Sequence, residues 1–505
     1  MTCLATTAKT VEGCVQQAVS QQDWIDAVEL RADLLDPRER EKSPEFPRRL
    51  ATVLGCSSPT IFTVRRAEDG GRFDGNEESR IALLLHAARH GAFAYLDIEI
   101  DLSDTEDGKR VARAAADGGA GVIRSLHDFS GVPDDLVRTM NGASRREDDV
   151  VKCAVTPRGM ADLVRLFRMS RQFDVPRAIV IGMGPYGTVT RVLPAKFGSI
   201  LTFVSCPGEQ AAPGHLTPQV LTEVFQRPSV TEDTPVFAVI GAPIGHSKSP
   251  LYHNARFVAE EVHAVYVPIL VDEVQALFEL AEELPILGFS VTIPHKEAVM
   301  EYVDELEPEA VAARSCNTVI SRPGGGWIGT NTDITGFLSP TQEAFGRPLR
   351  GAKALVIGAG GTSRGVVYAL LTSGAEVVIA NRTMERAQQL ASDLSSNLGS
   401  KPASKPAAVG RVTVASFDEA AGGAYDLVAQ TTSVGMGGDV DAAEWYEFRG
   451  TETVFDAVYT PPDTPFIQRA RSAGCRVVTG DRMFDAQADA QFRFYRALAM
   501  EAADV

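Results

Sequence analysis

A chain of 505 residues, 44 % hydrophobic and 23 % charged, is too long for one core and has the makeup of a globular protein of two or three domains. Its formal net charge of −17 argues against nucleic acid or an anionic membrane as a general partner, so basic residues that recur at strand ends read as local anion sites. The seven cysteines lack CxxC or Cys/His metal spacing, no stretch has the length of a membrane span, and the start lacks a basic, apolar leader; reduced thiols, no metal and a cytoplasmic location are expected.

In chain order, the first half alternates short apolar runs with helical stretches. The runs are Cys3 to Thr6, Ala27 to Arg31, Thr60 to Arg65, Ala94 to Ile100, Gly121 to Leu126, Val150 to Val155, Ala178 to Met183 and Ile200 to Val204. Eight strand–helix units in roughly 225 residues fit a closed parallel (β/α)8 barrel, with a doubly wound open sheet as the alternative. Chemistry belongs at the C-terminal mouth of such a barrel, where Glu29, Arg31, Arg65, Asp97, Glu99, His127 and Lys152 fall. Lys152 is the sharpest of these, because its strand carries no other charge. Burial there would favour the neutral amine that imine formation with a ketone needs. The competing reading is a lysine paired with Glu29 or Glu99. His127 reads as a general acid/base or as a satisfied core histidine.

Gln226 to Pro235, polar with two prolines, reads as an interdomain linker. Beyond it, Val239 to Pro250 runs from a strand into a turn where Ser247 and Ser249 flank Lys248. These hydroxyls suit a carboxylate, or an ordinary helix cap. Phe289 to Lys296 and Gly329 to Asp333 end in polar turns, and Lys296 with Asp333 forms a plausible proton-transfer pair. The second half is organised around Ala354 to Gly365. Four apolar residues predict a strand buried on both faces, and Gly358, Gly360 and Gly361 make a tight turn. A helix over Ser363 to Thr372 then offers its N-terminus to a phosphate. At the end of the next strand, Glu376 to Ala380, an NAD site usually has an acidic residue. Here Asn381, Arg382 and Thr383 follow, with Arg386 one turn later, which suits the 2′-phosphate of NADP. Ser395 to Gly410 reads as a low-complexity loop.

Two family resemblances join these residues. Glu29-Leu30-Arg31, Thr63-Val64-Arg65 with Gly70-Gly71, Leu96 to Glu99, Ser125 to Asp128, Lys152, Met183-Gly184, Arg191, Phe197-Gly198-Ser199 and Ala212-Pro213-Gly214 resemble type I 3-dehydroquinate dehydratase. That resemblance implies a Schiff base on Lys152 with the C3 ketone of 3-dehydroquinate. His127 would remove the C2 proton and protonate the departing hydroxyl. Arg191 would pair with the substrate carboxylate, and Glu29, Arg31, Arg65 and Glu99 would line the substrate site. Two departures stand out: Asp69 replaces a Glu, and Ala211 to His215 replaces Ser-Ala-Pro-Gly-Gln. His215 is expected to take over substrate binding in that loop and to titrate near neutrality, so that KM rises between about pH 6 and 8.

From Phe237 onward the chain resembles shikimate dehydrogenase, adding Ser315 to Thr318, Thr431 to Met436, Asp456 to Tyr459, Gly480, Met483 and Gln487. The resemblance implies that Ser247, Ser249, Thr292, Asn317, Asn331, Tyr459 and Gln487 bind 3-dehydroshikimate and that Lys296 and Asp333 flank its C3 oxygen. Met436 and Gly480 join the NADP site. Ser290, where bacterial members mostly have Asn, and Gly365, where the fingerprint usually ends in Ala, depart from the pattern. The expected α/β domains are a dehydratase barrel over 1–228, a substrate lobe over 234–337 plus 481–505, and a Rossmann NADP lobe over 338–480. Together they predict a bifunctional shikimate-pathway enzyme acting on small molecules. A quinate dehydrogenase in the second half, a preference for NAD, or a non-catalytic regulatory homologue are the rivals. Oligomeric state is not legible.

Overall fold

The computed structural model describes residues 1–505 apart from 56–57, 210–213, 227–228, 246, 400–409 and 504–505. By compactness the chain divides into two units. One is Met1–Val236 with Ile244–Ala255 and Ala264–Pro285; the other is Phe237–Pro243 with Arg256–His263 and Ile286–Val505.

The first sheet contains β1 (Thr2–Ala5), β2 (Ala27–Arg31), β3 (Thr60–Thr63), β4 (Tyr95–Glu99), β5 (Gly121–Asp128), β6 (Val150–Val155), β7 (Ala178–Gly182) and β8 (Thr202–Val204). Their order is β7-β6-β5-β4-β3-β2-β1-β8, and every pairing is parallel. The two edges meet through a parallel bridge between Ala178 and Ser199, where the Val180 N–H donates to Ser199 Oγ at 3.0 Å. The result is the near-closed eight-stranded barrel that the spacing of the apolar runs predicts.

Strand alternation decides what faces the barrel axis. Ala27, Ile61, Ile123, Val150, Ile179 and Phe203 pack together in one buried cluster. Residues two and four positions further along the same strands share that face. Glu29 and Arg31 follow Ala27, Ser125 and His127 follow Ile123, and Lys152 follows Val150. The apolar residues fill the N-terminal layers, and the polar ones crowd the C-terminal mouth. At the foot of this arrangement a buried ion pair joins β5 to the entry of β6. Arg124 Nε donates to Asp149 Oδ2 at 3.0 Å, and the same oxygen accepts from the Arg145 and Arg146 N–H groups at 3.0 and 3.1 Å.

A second, mixed sheet contains β9 (Val236–Gly241), β10 (Val265–Leu270), β11 (Ile286–Val291), β12 (Glu305–Leu306), β13 (Thr318–Ser321) and β14 (Trp327–Thr330) in the order β10-β9-β11-β13-β14-β12. The third contains β15 (Lys353–Ile357), β16 (Glu376–Ala380), β17 (Val412–Ala415), β18 (Leu427–Gln430), β19 (Thr453–Asp456) and β20 (Arg476–Val478). Its order β17-β16-β15-β18-β19-β20 is parallel throughout, a doubly wound topology whose switch point lies between β15 and β18. Ala354 and Val356 enter one core and Leu355 and Ile357 the other, which is why this strand reads as an unbroken apolar run.

Two boundaries differ from expectation. The helix after the glycine turn begins at Gly361 rather than Ser363, since Gly360 is already the cap and its N–H donates to Ser363 Oγ at 3.0 Å. Ser395 onward is not all loop: the helix Met384–Gly399 continues through it, carried by Leu390 and Leu394 on its buried face, and 400–409 lie outside the described residues. Within the expected linker, Ser229 to Pro235 has neither helix nor strand, while 227–228 lie outside the described residues.

Removing Asp149 leaves Arg124 buried without its counter-charge, so Asp149→Ala is expected to destabilise the barrel by about 3–5 kcal/mol. Denaturant titration of the full chain checks this. A change under roughly 1 kcal/mol, the range of an exposed pair, would show that the pair does not hold β5 to β6.

Candidate active sites

The barrel mouth holds a cleft of about 590 Å³, counting its open entrance. Lys152 and Glu29 form part of its floor, and Arg31, Arg65, His127, Arg191 and His215 converge on it. Of the dehydratase residues expected from the sequence, Asp97 and Glu99 are absent from the lining: Asp97 lies beneath it, against Lys152, and Glu99 is turned away. One of its oxygens accepts from Arg65 at 3.2 Å and the other from Arg80 at 2.7 Å, so it holds Arg65 and is not placed to meet substrate.

Lys152 is buried, but not as an isolated charge. Its Nζ lies 3.1 Å from Asp97 Oδ2, and the same oxygen is 2.8 Å from Arg65. The partner is therefore Asp97, rather than the Glu29 or Glu99 weighed from the sequence. Glu29 instead accepts from Thr63 Oγ1 at 2.7 Å. Ser125 Oγ donates to the other Asp97 oxygen at 2.6 Å. Burial favours the neutral acid, yet Arg65, Lys152 and the Ser125 hydroxyl hold the Asp97 carboxyl well below the usual range. Phe203, whose ring centre is 4.5 Å from Lys152 Nζ, adds a cation–π contact. Phe203 and Phe129 were not singled out from the sequence, and Ser125 entered only as part of a motif, with no role; strand parity alone could have pointed to Phe203 and to the role of Ser125.

The histidines have a different electrostatic position. Burial, then Arg65 and Lys152, push the His127 imidazole well below its ordinary value, so the ring is neutral and able to accept a proton. Its Nδ1 is buried and makes no hydrogen bond among the described residues. Arg191 is buried and pushed down to about 10 by desolvation, which leaves it cationic at neutral pH. For Arg31 the burial penalty is outweighed by Asp33, which accepts two hydrogen bonds from it at 2.9 and 2.8 Å.

His215 corrects an expectation. It lines the cleft, with Nδ1 2.6 Å from Ser205 Oγ. Burial, then Arg191, Arg31 and Lys152, push its imidazole well below the ordinary value, so it does not titrate near neutrality. Within its loop, Gln210 to Pro213 lie outside the described residues.

The second constellation lies in the other unit. Lys296 Nζ is 2.5 Å from Asp333 Oδ2 and donates to Thr362 Oγ1 at 3.3 Å. Asn317 Nδ2 donates to Asp333 Oδ1 at 2.8 Å, and Asn331 Oδ1 accepts from the Asp333 N–H at 3.0 Å. Ser290, Gln491 and Thr318 brace Asn317 from behind: Gln491 bonds its carbonyl at 3.2 Å and Thr318 Oγ1 its Oδ1 at 2.8 Å. The glycine turn closes on the same place. A Cβ at Gly361 would lie 3.1 Å from Lys296 Cδ, and one at Gly365 would lie 3.5 Å from Asp333 Cβ. Gln487 packs on Gly336, and the Tyr459 ring packs tilted against Phe484 with centres 5.3 Å apart, its phenol pKa raised by burial. Thr292 accepts from the His295 N–H at 2.9 Å in the turn before Lys296. Ser247 and Ser249 belong to the first unit, where the Ser249 N–H donates to Ser247 Oγ at 3.3 Å.

Comparison with known proteins gives the same two halves. The family model described as type I 3-dehydroquinase matches residues 2–231; shikimate dehydrogenase substrate binding domain matches 239–319, and shikimate / quinate 5-dehydrogenase matches 341–405. The bifunctional 3-dehydroquinate dehydratase/shikimate dehydrogenase, chloroplastic, of Arabidopsis thaliana is 32 % identical over 514 residues, covering 96 % of this chain and 80 % of that protein. The chain belongs to this bifunctional family. It is a lyase and an oxidoreductase in one polypeptide. A shikimate dehydrogenase (NADP(+)) of Moorella thermoacetica is 38 % identical over 273 residues, 53 % of this chain and 89 % of that one. A solved structure of dehydroquinate dehydratase and shikimate dehydrogenase from S. pombe AroM covers 99 % of this chain and 98 % of its own at 26 % identity, with a TM-score of 0.42. Among the described residues no cluster fit to hold a metal occurs, and no helix is long and apolar enough to cross a membrane.

Because the folded pKa of His215 is depressed, its neutral form is present throughout pH 6 to 8. The dehydratase KM of this bifunctional enzyme should then show no rise with a midpoint near 6.5, the unperturbed imidazole value of about 6.5, and His215→Gln should leave the profile unchanged. A KM profile over pH 5 to 9 checks this. A midpoint near 6.5 that disappears in His215→Gln would place a titrating imidazole in the cleft.

Proposed function

We propose that the chain dehydrates 3-dehydroquinate to 3-dehydroshikimate through an imine on Lys152, and reduces that product to shikimate with NADPH. The observation that carries the first step is the cleft itself: one buried lysine, a neutral histidine and a buried arginine cation on a single lining. Lys152 attacks the C3 ketone and water leaves. Neutral His127 takes the C2 proton, the C1 hydroxyl departs with that proton, and water releases the product. Arg191 pairs with the substrate carboxylate, while Glu29, Arg31, Arg65 and His215 hold the ring hydroxyls.

For the second step, Lys296 and Asp333 flank the C3 oxygen of 3-dehydroshikimate, and protonation there accompanies reduction. Ser247, Ser249, Thr292, Asn317, Asn331, Tyr459 and Gln487 are proposed to bind that substrate. The residues around the glycine turn fit a dinucleotide. Gly358 has a φ of 121°, and a Cβ on it would lie 2.7 Å from Thr431 Oγ1, whereas the space above Gly360 is open. The start of the helix Gly361–Thr372 would receive the pyrophosphate. Arg382 and Arg386 are exposed beyond β16, and neither has an ion pair among the described residues, which favours a 2′-phosphate. Asn381 bonds the Thr383 carbonyl at 2.7 Å and shapes this turn; exposed Met436, with Gly480, completes the proposed cofactor site. Bound NADPH would supply the two electrons of the reduction.

The boundaries we favour are 1–228, 234–337 with 481–505, and 338–480; β1 to β8, β9 to β14 and β15 to β20 fall one set to each. Small-molecule substrates, with neither nucleic acid nor membrane as partner, accord with the net charge of −17. A cytoplasmic location accords with the six described cysteines, all buried and unbridged.

Supplying 3-dehydroquinate and NADPH should yield shikimate. Lys152→Ala should abolish dehydration while leaving shikimate oxidation intact; dehydration at the normal rate in this variant would remove Lys152 from the mechanism. In the second reaction NADPH should exceed NADH by kcat/KM, and Arg382→Ala should erode that preference by roughly 1.5–3 kcal/mol, the range for charge-assisted hydrogen bonds. Equal use of both cofactors by the wild type would refute the assignment.

A further inference from the structure

Lys152 and Arg65 share one oxygen of Asp97, at 3.1 and 2.8 Å, and the Ser125 hydroxyl takes the other at 2.6 Å. Asp97 is 1 % exposed, so water does not compensate its charge. Arg65 is not committed to Asp97 alone, since it also serves Glu99 at 3.2 Å and donates to Ser125 Oγ at 2.8 Å. A buried carboxylate in this position holds its neighbours to being cations.

We propose that Asp97 is a catalytic residue of the dehydratase: the fixed counter-ion of the Lys152 nitrogen, stabilising the ammonium and the iminium alike. The proposal rests on the Schiff-base reading of Lys152. The chemistry explains why a counter-ion is compatible with imine formation. When ketone and ammonium become iminium and water, the C=O bond is replaced by C=N. The oxygen leaves with two of the three ammonium protons, the nitrogen keeps the third, and one positive charge stands on each side. Asp97 therefore opposes the reaction only at the neutral amine and carbinolamine between them. When the C2 proton moves to His127, the iminium becomes a neutral enamine and the positive charge passes to the imidazole, whose field also reaches Asp97. Loss of the C1 hydroxyl, with the proton returned from His127, restores a conjugated iminium. The carboxylate thus faces a cation before and after each bond-breaking step, and it favours the iminium that acts as electron sink.

Other charged groups face this pair from each neighbouring element. Glu29 and Arg31 lie on β2, Arg65 beyond β3, Glu99 on β4 and His127 on β5. Arg191 and His215 approach from the C-terminal side of the barrel, and Cys3 lies across it on β1. Only Asp97 is in direct ion-pair contact with Lys152 among the described residues.

The test is cyanoborohydride trapping of 3-dehydroquinate on the full chain across pH 5 to 9, read by peptide mass, beside kcat and KM. In Asp97→Asn the adduct should still form on Lys152. The acid limb of the trapping profile should move at least one pH unit lower, because the Lys152 nitrogen loses its fixed counter-ion. At pH 7 kcat should fall at least 100-fold, with a smaller change in KM. A fall in kcat with an unmoved trapping profile would make Asp97 structural and overturn the proposal, as would an unchanged kcat. If Asp97→Asn does not fold, Ser125→Ala carries the test. It strips a hydrogen bond from the carboxylate, leaves it more dependent on Lys152, and should move the acid limb to higher pH; an unmoved limb overturns the proposal. Absence of any adduct on Lys152 in the wild type would instead defeat the Schiff-base reading itself.

Discussion

The dehydratase half depends on one buried carboxylate. Asp97 sits between Arg65 and Lys152 in the barrel interior, where an unpaired charge would cost several kcal/mol. Its three partners come from the end of β3, from β5 and from β6, so satisfying it fixes the relative placement of these strands. Glu99 extends the chain of charges outward to Arg80, which is itself almost wholly buried. The charges around Asp97 are tolerated in the interior because they are paired with one another, and these pairings shape the electrostatics available for chemistry. His127 stays neutral because it is buried and has cations beside it, and Arg191 stays cationic although burial weakens its hold on the proton.

A single geometric rule places the chemistry on both parallel sheets. In the barrel, alternation along each strand puts apolar residues in the lower layers and polar ones at the C-terminal mouth. In the doubly wound sheet, alternation is hidden because both faces are buried, and the glycine turn lies where strand order reverses beside β15. Gly358 lies at that point, with a positive φ and with Thr431 too close for a side chain.

The second site is held by hydrogen bonds rather than by stacked ion pairs. Asn317 bridges Thr332 and Asp333, and its own amide oxygen accepts from the Thr332 N–H at 2.8 Å. Asp333 therefore presents Oδ2 to Lys296 with its other oxygen and its backbone already occupied. The helix Gly361–Thr372 can approach this cluster because Gly361 and Gly365 have no side chains to hold it off. The departure from Ala at Gly365 is consistent with that close approach, and the Ser290 departure is absorbed by Gln491 and Tyr495, at 2.9 and 3.0 Å.

The sequence by itself determined the two halves, the barrel strands, the glycine turn and the family, because each of these is written in local periodicity or in residues at fixed spacing. It also determined most of the residues that line the barrel cleft, since strand ends carry the polar positions. It could not determine how those residues are paired. Lys152 reads locally as a lone charge in an apolar strand, yet its partner comes from a strand 55 positions away in the chain. Glu99 reads as a site residue, yet Arg65 and Arg80 occupy both its oxygens. His215 reads as a titrating loop histidine, yet burial, with three cations brought near it by barrel closure, keeps it neutral. Charge and protonation inside a closed barrel are sums over neighbours from every strand, so only the tertiary structure could decide them.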